Sequence, residues 1–312
     1  MEGPRLTFLS GGTGTPKLLR GFRELDYRPF EVVVNTGEDN RILGLHVSPD
    51  VDTVVYTLAG IVNEETWYGI ENDTFRGHGF LEDLGVDEPL RIGDADRALK
   101  QYRTYLMEEE GLTLSEATDR IRKALGVRWP VHPMTDDTVT TIVVTDEGKM
   151  HFHEFWVERR GEPAVKDVVY EGADEASPSP GALRAVSNAD VVVIGPSNPV
   201  TSIGPILSLS ELRRAVAEKP LVVVSPFVGE GAVSGPADKL IRAAGFEPDV
   251  HGLVEYYREW GLEPDVLVMD ERDPNEEPDV PVVIRTNTVM KDVKDSVALA
   301  RRVVKAADEA IR

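Results

Sequence analysis

The chain contains no cysteine, which excludes disulfides, thiolate nucleophiles and thiolate metal sites. Nor does any apolar run approach the roughly 20 residues that cross a bilayer. The opening Met-Glu-Gly-Pro-Arg lacks a basic stretch followed by an apolar one, so a cytoplasmic protein is expected. Lysine is scarce and most basic residues are arginine. Acid is abundant: 55 acidic residues face 34 basic ones, a formal charge of −21. Such a surface repels nucleic acid and anionic membranes, so neither is expected as a partner. Excess acid with little lysine also suits a high-salt cytoplasm, where self-repulsion is screened. With 312 residues, 41% of them hydrophobic, one large or two moderate domains are expected.

Four short β-branched runs, over 6–9, 32–34, 191–194 and 221–224, each end in a polar loop. The loops are Ser10-Gly-Gly-Thr-Gly-Thr-Pro-Lys17, Asn35-Thr-Gly-Glu-Asp39, Gly195-Pro-Ser-Asn-Pro-Val-Thr-Ser202 and Ser225-Pro-Phe-Val-Gly-Glu-Gly231. Runs of this kind read as buried parallel strands, and in open α/β sheets the ligand lies outside their carboxyl ends. Further strands are expected at 140–144, 266–269 and 282–284, and helices at 17–25, 210–218 (capped by Ser208), 236–244 and 292–311. Between 67 and 129 helical spacing takes over. Ala98, Leu99, Tyr102, Tyr105 and Leu106 share one face of a helix over 94–110, and Thr113 with Glu116 forms a capping box for the next. The fold class is therefore α/β: a Rossmann-like, mainly parallel sheet formed by 1–60 and 130–312, with 61–129 a helical insertion over the crevice. The acidic, proline-rich stretch 273–281 reads as an exposed loop.

The first loop opens a helix, where free backbone N–H groups and the helix dipole favour an anion. Gly12, Thr13 and Gly14 allow close approach, and Lys17 adds a cation. The glycine spacing fits neither a Walker sequence nor a dinucleotide fingerprint, and a ligand-free turn is the alternative. Asp50 and Asp52 follow Pro49; such a pair can hold a magnesium ion, take a proton, or simply cap a helix. Glu38 and Asp39 are further candidates of the same kind. Asp136 and Asp137 sit beside hydroxyls before a strand, and Asp94 and Asp96 lie between Arg91 and Arg97. His151, Phe152, His153 and Trp156 suggest a strand, but no third ligand at zinc spacing accompanies the histidines. Asn198, Thr201 and Ser202 suit polar recognition of a base, ribose or phosphate.

Taken together these segments resemble the archaeal 2-phospho-L-lactate transferase family of coenzyme F-420 biosynthesis. The matching residues are Ser10 to Leu19, Val33-Val-Asn-Thr36, Ser48-Pro-Asp-Val-Asp-Thr53 and Gly69-Ile-Glu-Asn-Asp-Thr-Phe75. Later ones are Phe155-Trp, Arg160-Gly-Glu-Pro163, the loop from Gly195 to Pro205, Val233-Ser-Gly-Pro-Ala237 and Asp270-Glu-Arg-Asp273. The resemblance implies transfer of a 2-phospho-L-lactyl group from lactyl-2-diphospho-5'-guanosine, or of an enolpyruvyl counterpart. The acceptor would be the ribityl hydroxyl of 7,8-didemethyl-8-hydroxy-5-deazariboflavin; GMP would leave, and Mg²⁺ would be the metal. Asp52 is then expected to orient or deprotonate the acceptor and, with Asp50, to hold the metal. Gly12, Thr13, Gly14 and Lys17 would hold the diphosphate, Arg91 and Trp67 the deazaflavin, and Asn198, Thr201 and Ser202 the guanosine side. A homodimer is the default assembly. The alternative is a non-catalytic regulator of the same fold that binds a nucleotide sugar. An NAD-dependent oxidoreductase is disfavoured, since no Gly-x-Gly-x-x-Gly follows the first strand.

Overall fold

In the computed structural model, which describes residues 3–229, 231–232 and 235–312, the four β-branched runs lie side by side. The chain opens with β1 (Leu6–Ser10), α1 (Gly14–Glu24), β2 (Phe30–Val34), the hairpin β3 (Asn40–Ile42) and β4 (Leu45–Val47), and α2 (Pro49–Ala59). Three helices follow, α3 (Arg76–Asp83), α4 (Asp94–Glu108) and α5 (Leu114–Ala124), then β5 (Val131–Pro133), β6 (Thr140–Thr145), β7 (Gly148–His151), a π-helical turn (Glu154–Glu158) and β8 (Val165–Glu171). Next come α6 (Pro180–Asn188), β9 (Val191–Ile194), a second π-helical turn (Pro199–Ile203), α7 (Gly204–Ser208), α8 (Ser210–Ala217) and β10 (Leu221–Val224). The chain ends through β11 (Phe227–Val228), β12 (Gly231–Ala232), α9 (Ala237–Ala243), α10 (Val250–Glu259), β13 (Val266–Asp270), β14 (Val282–Thr286) and α11 (Val293–Ala310).

The central sheet has seven strands in the order β14-β13-β10-β9-β1-β2-β5, and every pairing in it is parallel. The chain winds outward from β1 in one direction through β2 and β5, then returns to β9 and winds the other way. The order reverses between β1 and β9, and there the loops behind the two strands diverge and leave a crevice. Both faces of the sheet are covered, which is why its strands are apolar throughout rather than alternating. Leu6, Phe8, Val32, Val193 and Val222 pack against Leu18 and Phe22 of α1, Val54 of α2 and Val303 of α11. Leu9, Val33, Ile194 and Val223 face the other way, against Ala182 of α6, Leu212 of α8 and Leu253 of α10.

Several expectations need correction. The strand over 140–144 is not in the central sheet; it is the middle of a separate antiparallel sheet, β7-β6-β8. Its alternating burial, with Thr141, Val143 and Thr145 inward, is the mark of a sheet open on one side. The third strand on the β2 side is instead Val131–Pro133, only three residues long. Ser208 does not cap α8, because its hydroxyl donates to the Pro205 carbonyl. The stretch from His151 to Trp156 leaves the strand at His151 and becomes a π-helical turn. The capping box is present: Thr113 accepts from the Glu116 amide, and Glu116 accepts from the Thr113 amide. Glu230 of the fourth loop, and Val233 and Ser234 of a later motif, lie outside the described residues.

Candidate functional site

At the switch point a cavity of about 420 Å³ opens between the loops after β1, β2, β9 and β10. Gly12, Thr13 and Gly14 form its floor, Glu38 and Asp50 one wall, Asn198, Thr201 and Ser202 another, and Trp67, Tyr68 and Trp156 its rim. Of the eleven residues expected at the site, eight line this cavity. Lys17 faces an adjoining recess of about 30 Å³ that shares Gly14, Pro196 and Pro226 with it. Asp52 and Arg91 are not among the lining residues of either.

The loop glycines are required by close packing before any ligand is considered. A Cβ on Gly12 would stand 2.2 Å from Asp50 Oδ1, and one on Gly14 would stand 1.7 Å from the Pro196 carbonyl oxygen. The first amides of α1 have no intrahelical partner. Ser197, not anticipated from the sequence, fastens the two loops together: its Oγ accepts from the amides of Gly11 (3.2 Å) and Thr15 (3.3 Å). Gly14→Ala is therefore expected to destabilise the fold by about 1–3 kcal/mol or more through overpacking against backbone. Chemical denaturation of that variant measures it, and an unchanged midpoint would mean the two loops separate freely.

Asp50 and Asp52 sit in the first turn of α2, but neither caps it. The N-cap is Ser48, whose hydroxyl donates to Asp39 at 2.7 Å and accepts from no amide of the helix. Asp50 accepts from Asn35 Nδ2 at 2.9 Å, and the same amide reaches the Thr201 carbonyl at 3.2 Å. Asn35 thus ties β2, α2 and the turn after β9 to one point. Burial pushes the Asp50 carboxyl up to about 7, against the Asn35 hydrogen bond and with help from the charge of Asp39. Glu38 is raised well above the ordinary range, by burial first and then by the charges of Asp50 and Asp39. Among the described residues neither carboxylate has an ion-pair partner within 4 Å. This is crowded negative charge awaiting a proton or a cation.

Asp52 is handled differently. Both of its oxygens are held by Arg103, and Lys100 stands 3.1 Å away. Lys100 also pairs with Asp96, which accepts from the Tyr56 hydroxyl at 2.7 Å. Burial alone would raise the Asp52 carboxyl, but Arg103 and Lys100 outweigh it and hold it below the usual carboxylate range. Asp52 is thus part of a buried weld between α2 and α4.

The remaining candidates separate as follows. Arg91 is exposed and lies 4.1 Å from the Phe75 ring centroid. Trp67 adopts φ +55 and receives two cations, Lys17 at 5.3 Å and Arg20 at 5.1 Å from its ring. Asn198 caps the π-helical turn after β9, accepting from the amides of Val200 and Thr201. Asp136 and Asp137 are structural acceptors for the amides of Ser115 and Ser177, and Asp94 for those of Arg76 and Gly77. Among the described residues no cluster of three or more histidines or acids stands ready to hold a metal by itself, and no helix is long and apolar enough to cross a membrane.

Glycine-loop amides, a crevice at a switch point and crowded carboxylates are the features of α/β proteins that handle phosphorylated ligands. The family described as 2-phospho-L-lactate transferase CofD matches residues 6–307. A 2-phospho-L-lactate transferase of Methanopyrus kandleri is 71% identical over 98% of this chain and 99% of its own length. One of Methanocaldococcus jannaschii is 50% identical over 96% of this chain and 97% of its own. A solved protein of the UPF0052 family from Bacillus halodurans shares the fold, with TM-score 0.68 and 17% identity, over 97% of this chain and 100% of that one. The chain belongs to the 2-phospho-L-lactate transferase family, and membership implies a transferase of coenzyme F-420 biosynthesis.

Proposed function

We propose that this protein transfers the 2-phospho-L-lactyl group of lactyl-2-diphospho-5'-guanosine to the ribityl hydroxyl of 7,8-didemethyl-8-hydroxy-5-deazariboflavin, with release of GMP. The observation that carries this reading is the position of Asp50. An acid with its pKa pushed up to about 7 packs against Gly12 and lines the same cavity as the start of α1. A base poised near neutrality beside an anion site suits an alcohol attacking a diphosphate. The hydroxyl oxygen bonds to the lactyl-bearing phosphorus as the bond to the bridging oxygen breaks. GMP leaves with that electron pair, and the hydroxyl proton passes to Asp50. The amides of Gly12, Thr13 and Gly14 hold the diphosphate, and Trp67 and Trp156 offer aromatic faces at the rim to a planar ring. Residues 61–129, which contribute Trp67, Tyr68 and Leu90 to the cavity, act as a lid, and Arg91 meets the acceptor only if that lid moves. Asn198, Thr201 and Ser202 border the nucleotide side. Asp52 positions α2 and neither takes the proton nor holds metal.

Magnesium fits the site. Two acids crowd one wall without a cation, and this ion is commonly bound by one or two carboxylates together with substrate phosphates. Asp50 and Glu38 would hold it, and when bound it would neutralise charge on the diphosphate. Because metal and proton compete for the same oxygens, Mg²⁺ should raise the melting temperature more at pH 8 than at pH 6. An equal rise at both would detach the metal from these acids, and full activity in EDTA would remove it altogether. The test of the reaction is direct: purified protein, deazaflavin, donor and Mg²⁺, with the product weighed by mass spectrometry. A deazaflavin that gains no phospholactyl mass refutes the assignment. Selective binding of a uridine-diphosphate sugar would favour the regulator instead. The protein would work as a cytoplasmic homodimer, which sedimentation can check.

A further inference from the structure

Lys17, in the first turn of α1, lines the small recess beside the main cavity and not the main cavity itself. It is half-buried, and burial together with the neighbouring Arg20 charge lowers its pKa. Arg20 is neutralised by Glu64, but among the described residues no carboxylate stands within 4 Å of Lys17. The ammonium stands 5.3 Å from the Trp67 ring centroid, a contact that leaves its charge without a counter-ion and open to an anionic ligand. The recess it faces, walled by Ser225, Thr288, Met290 and the two prolines, has room for about 30 Å³. That is space for two or three water molecules at about 10–15 Å³ each, enough for a carboxylate and too little for a base or a sugar. The hydroxyls are already engaged: Thr288 donates to Asp270 at 3.1 Å, and Ser225 bonds both the amide and the carbonyl of Phe227. Lys17 is thus the donor left for a ligand, and Pro196, Pro226 and Met290 supply apolar contact beside it.

On the reading that the substrate is the guanosine diphospholactate, we propose that this recess receives the carboxylate of the donor's lactyl end, paired to Lys17. The diphosphate is left to the amides and the acidic wall of the main cavity. The two spaces adjoin at Gly14. In the donor the carboxylate is borne by the same carbon whose ester oxygen is bonded to phosphorus, so a short reach separates the two anionic groups. Lys17 then reads the acid group of the donor, where the sequence suggested a diphosphate contact.

Calorimetric titrations with Mg²⁺ present would compare GDP, the lactyl donor and the donor's primary carboxamide. The parent protein should prefer the acid to the amide by about 10- to 100-fold, the range of a charged hydrogen bond. Lys17→Met should erase that preference while changing GDP affinity less than about threefold. Equal losses for GDP and donor would return Lys17 to the diphosphate and overturn the proposal. Met290→Trp, which fills the recess, should weaken the donor at least tenfold and spare GDP, and it decides the matter if the Lys17 variant fails to fold. Donor binding untouched by Met290→Trp would also overturn it. A parent protein that discriminates acid from amide but transfers nothing to deazaflavin would sink the reaction assignment and leave this one standing.

Discussion

Asp50→Asn is expected to lower kcat by about 10²–10⁴-fold, the usual worth of a positioned general base, in a protein that is folded and more stable than its parent above pH 7. The two effects have one cause. Asn35 donates to Asp50 Oδ2, and an asparagine at 50 can offer the same oxygen, so the turn is preserved. The Asp50 carboxyl is raised to about 7 in the fold from an ordinary value near ~3.9. Between those values the native state holds a proton that the unfolded chain has released. Stability therefore falls as pH rises through this window, and above about 7 the full penalty is present. An amide does not titrate, so the variant escapes a cost on the order of 1–4 kcal/mol. Glu38 is raised by burial and by the charges of Asp50 and Asp39, so the two neighbouring acids oppose each other's ionisation. Thermal unfolding in EDTA at pH 5 and pH 8 measures the effect: the variant's advantage should grow with pH. A constant difference would show that Asp50 ionises freely, and a variant with normal turnover would remove it from the chemistry.

What could be read from the chain was what depends on neighbours in sequence. The β-branched runs ending in polar loops identify β1, β2, β9 and β10 and the side of the sheet on which they open, because pattern and turn chemistry are local. The capping box at Thr113 is legible for the same reason. Val131–Pro133 escaped because three residues carry no periodicity, and its place in the sheet is set by pairing with Val32 to Val34. The π-helical turns escaped because nothing in their composition separates them from a strand or loop. The site was legible as a set of residue types and not as a set of partners. Asp50 and Asp52 look equivalent in Ser48-Pro-Asp-Val-Asp-Thr53, yet one faces the cavity beside Glu38 and the other faces α4. On a helix, residues two apart lie on different faces, which argues against a shared role. Their partners could not be read, since Arg103 lies 51 residues beyond Asp52. The sequence shows Asn35 and Ser197 only as loop residues for the same reason: each acts through contacts more than a dozen residues away.

The buried weld allows the two aspartates to be told apart. Asp52, Asp96, Lys100 and Arg103 are all buried, and their charges sum to zero. Arg103→Met leaves one negative charge uncompensated in the interior and is expected to cost about 3–5 kcal/mol, as broken buried pairs do. Holding Asp52 below the usual carboxylate range also contributes stability that is present above the unfolded value and lost as pH falls through the folded one. The single variant should lose part of that acid sensitivity. Removing the partner charge as well, in Asp52→Asn/Arg103→Met, leaves Lys100 facing Asp96 alone and returns the interior to neutrality. The double variant should therefore recover most of the lost stability in a denaturant titration. Its turnover then decides what Asp52 does. If Asp52 takes the acceptor's proton, the double variant is as inactive as Asp50→Asn however well it folds. If Asp52 only anchors α2, the variant keeps Asp50, Glu38 and the glycine loop in place. It should then work within about tenfold of the parent, with the loss mainly in KM as the lid contributed by α4 loosens. A folded double variant with no measurable kcat would restore the proton-accepting role to Asp52 and reduce Asp50 to a wall of the cavity.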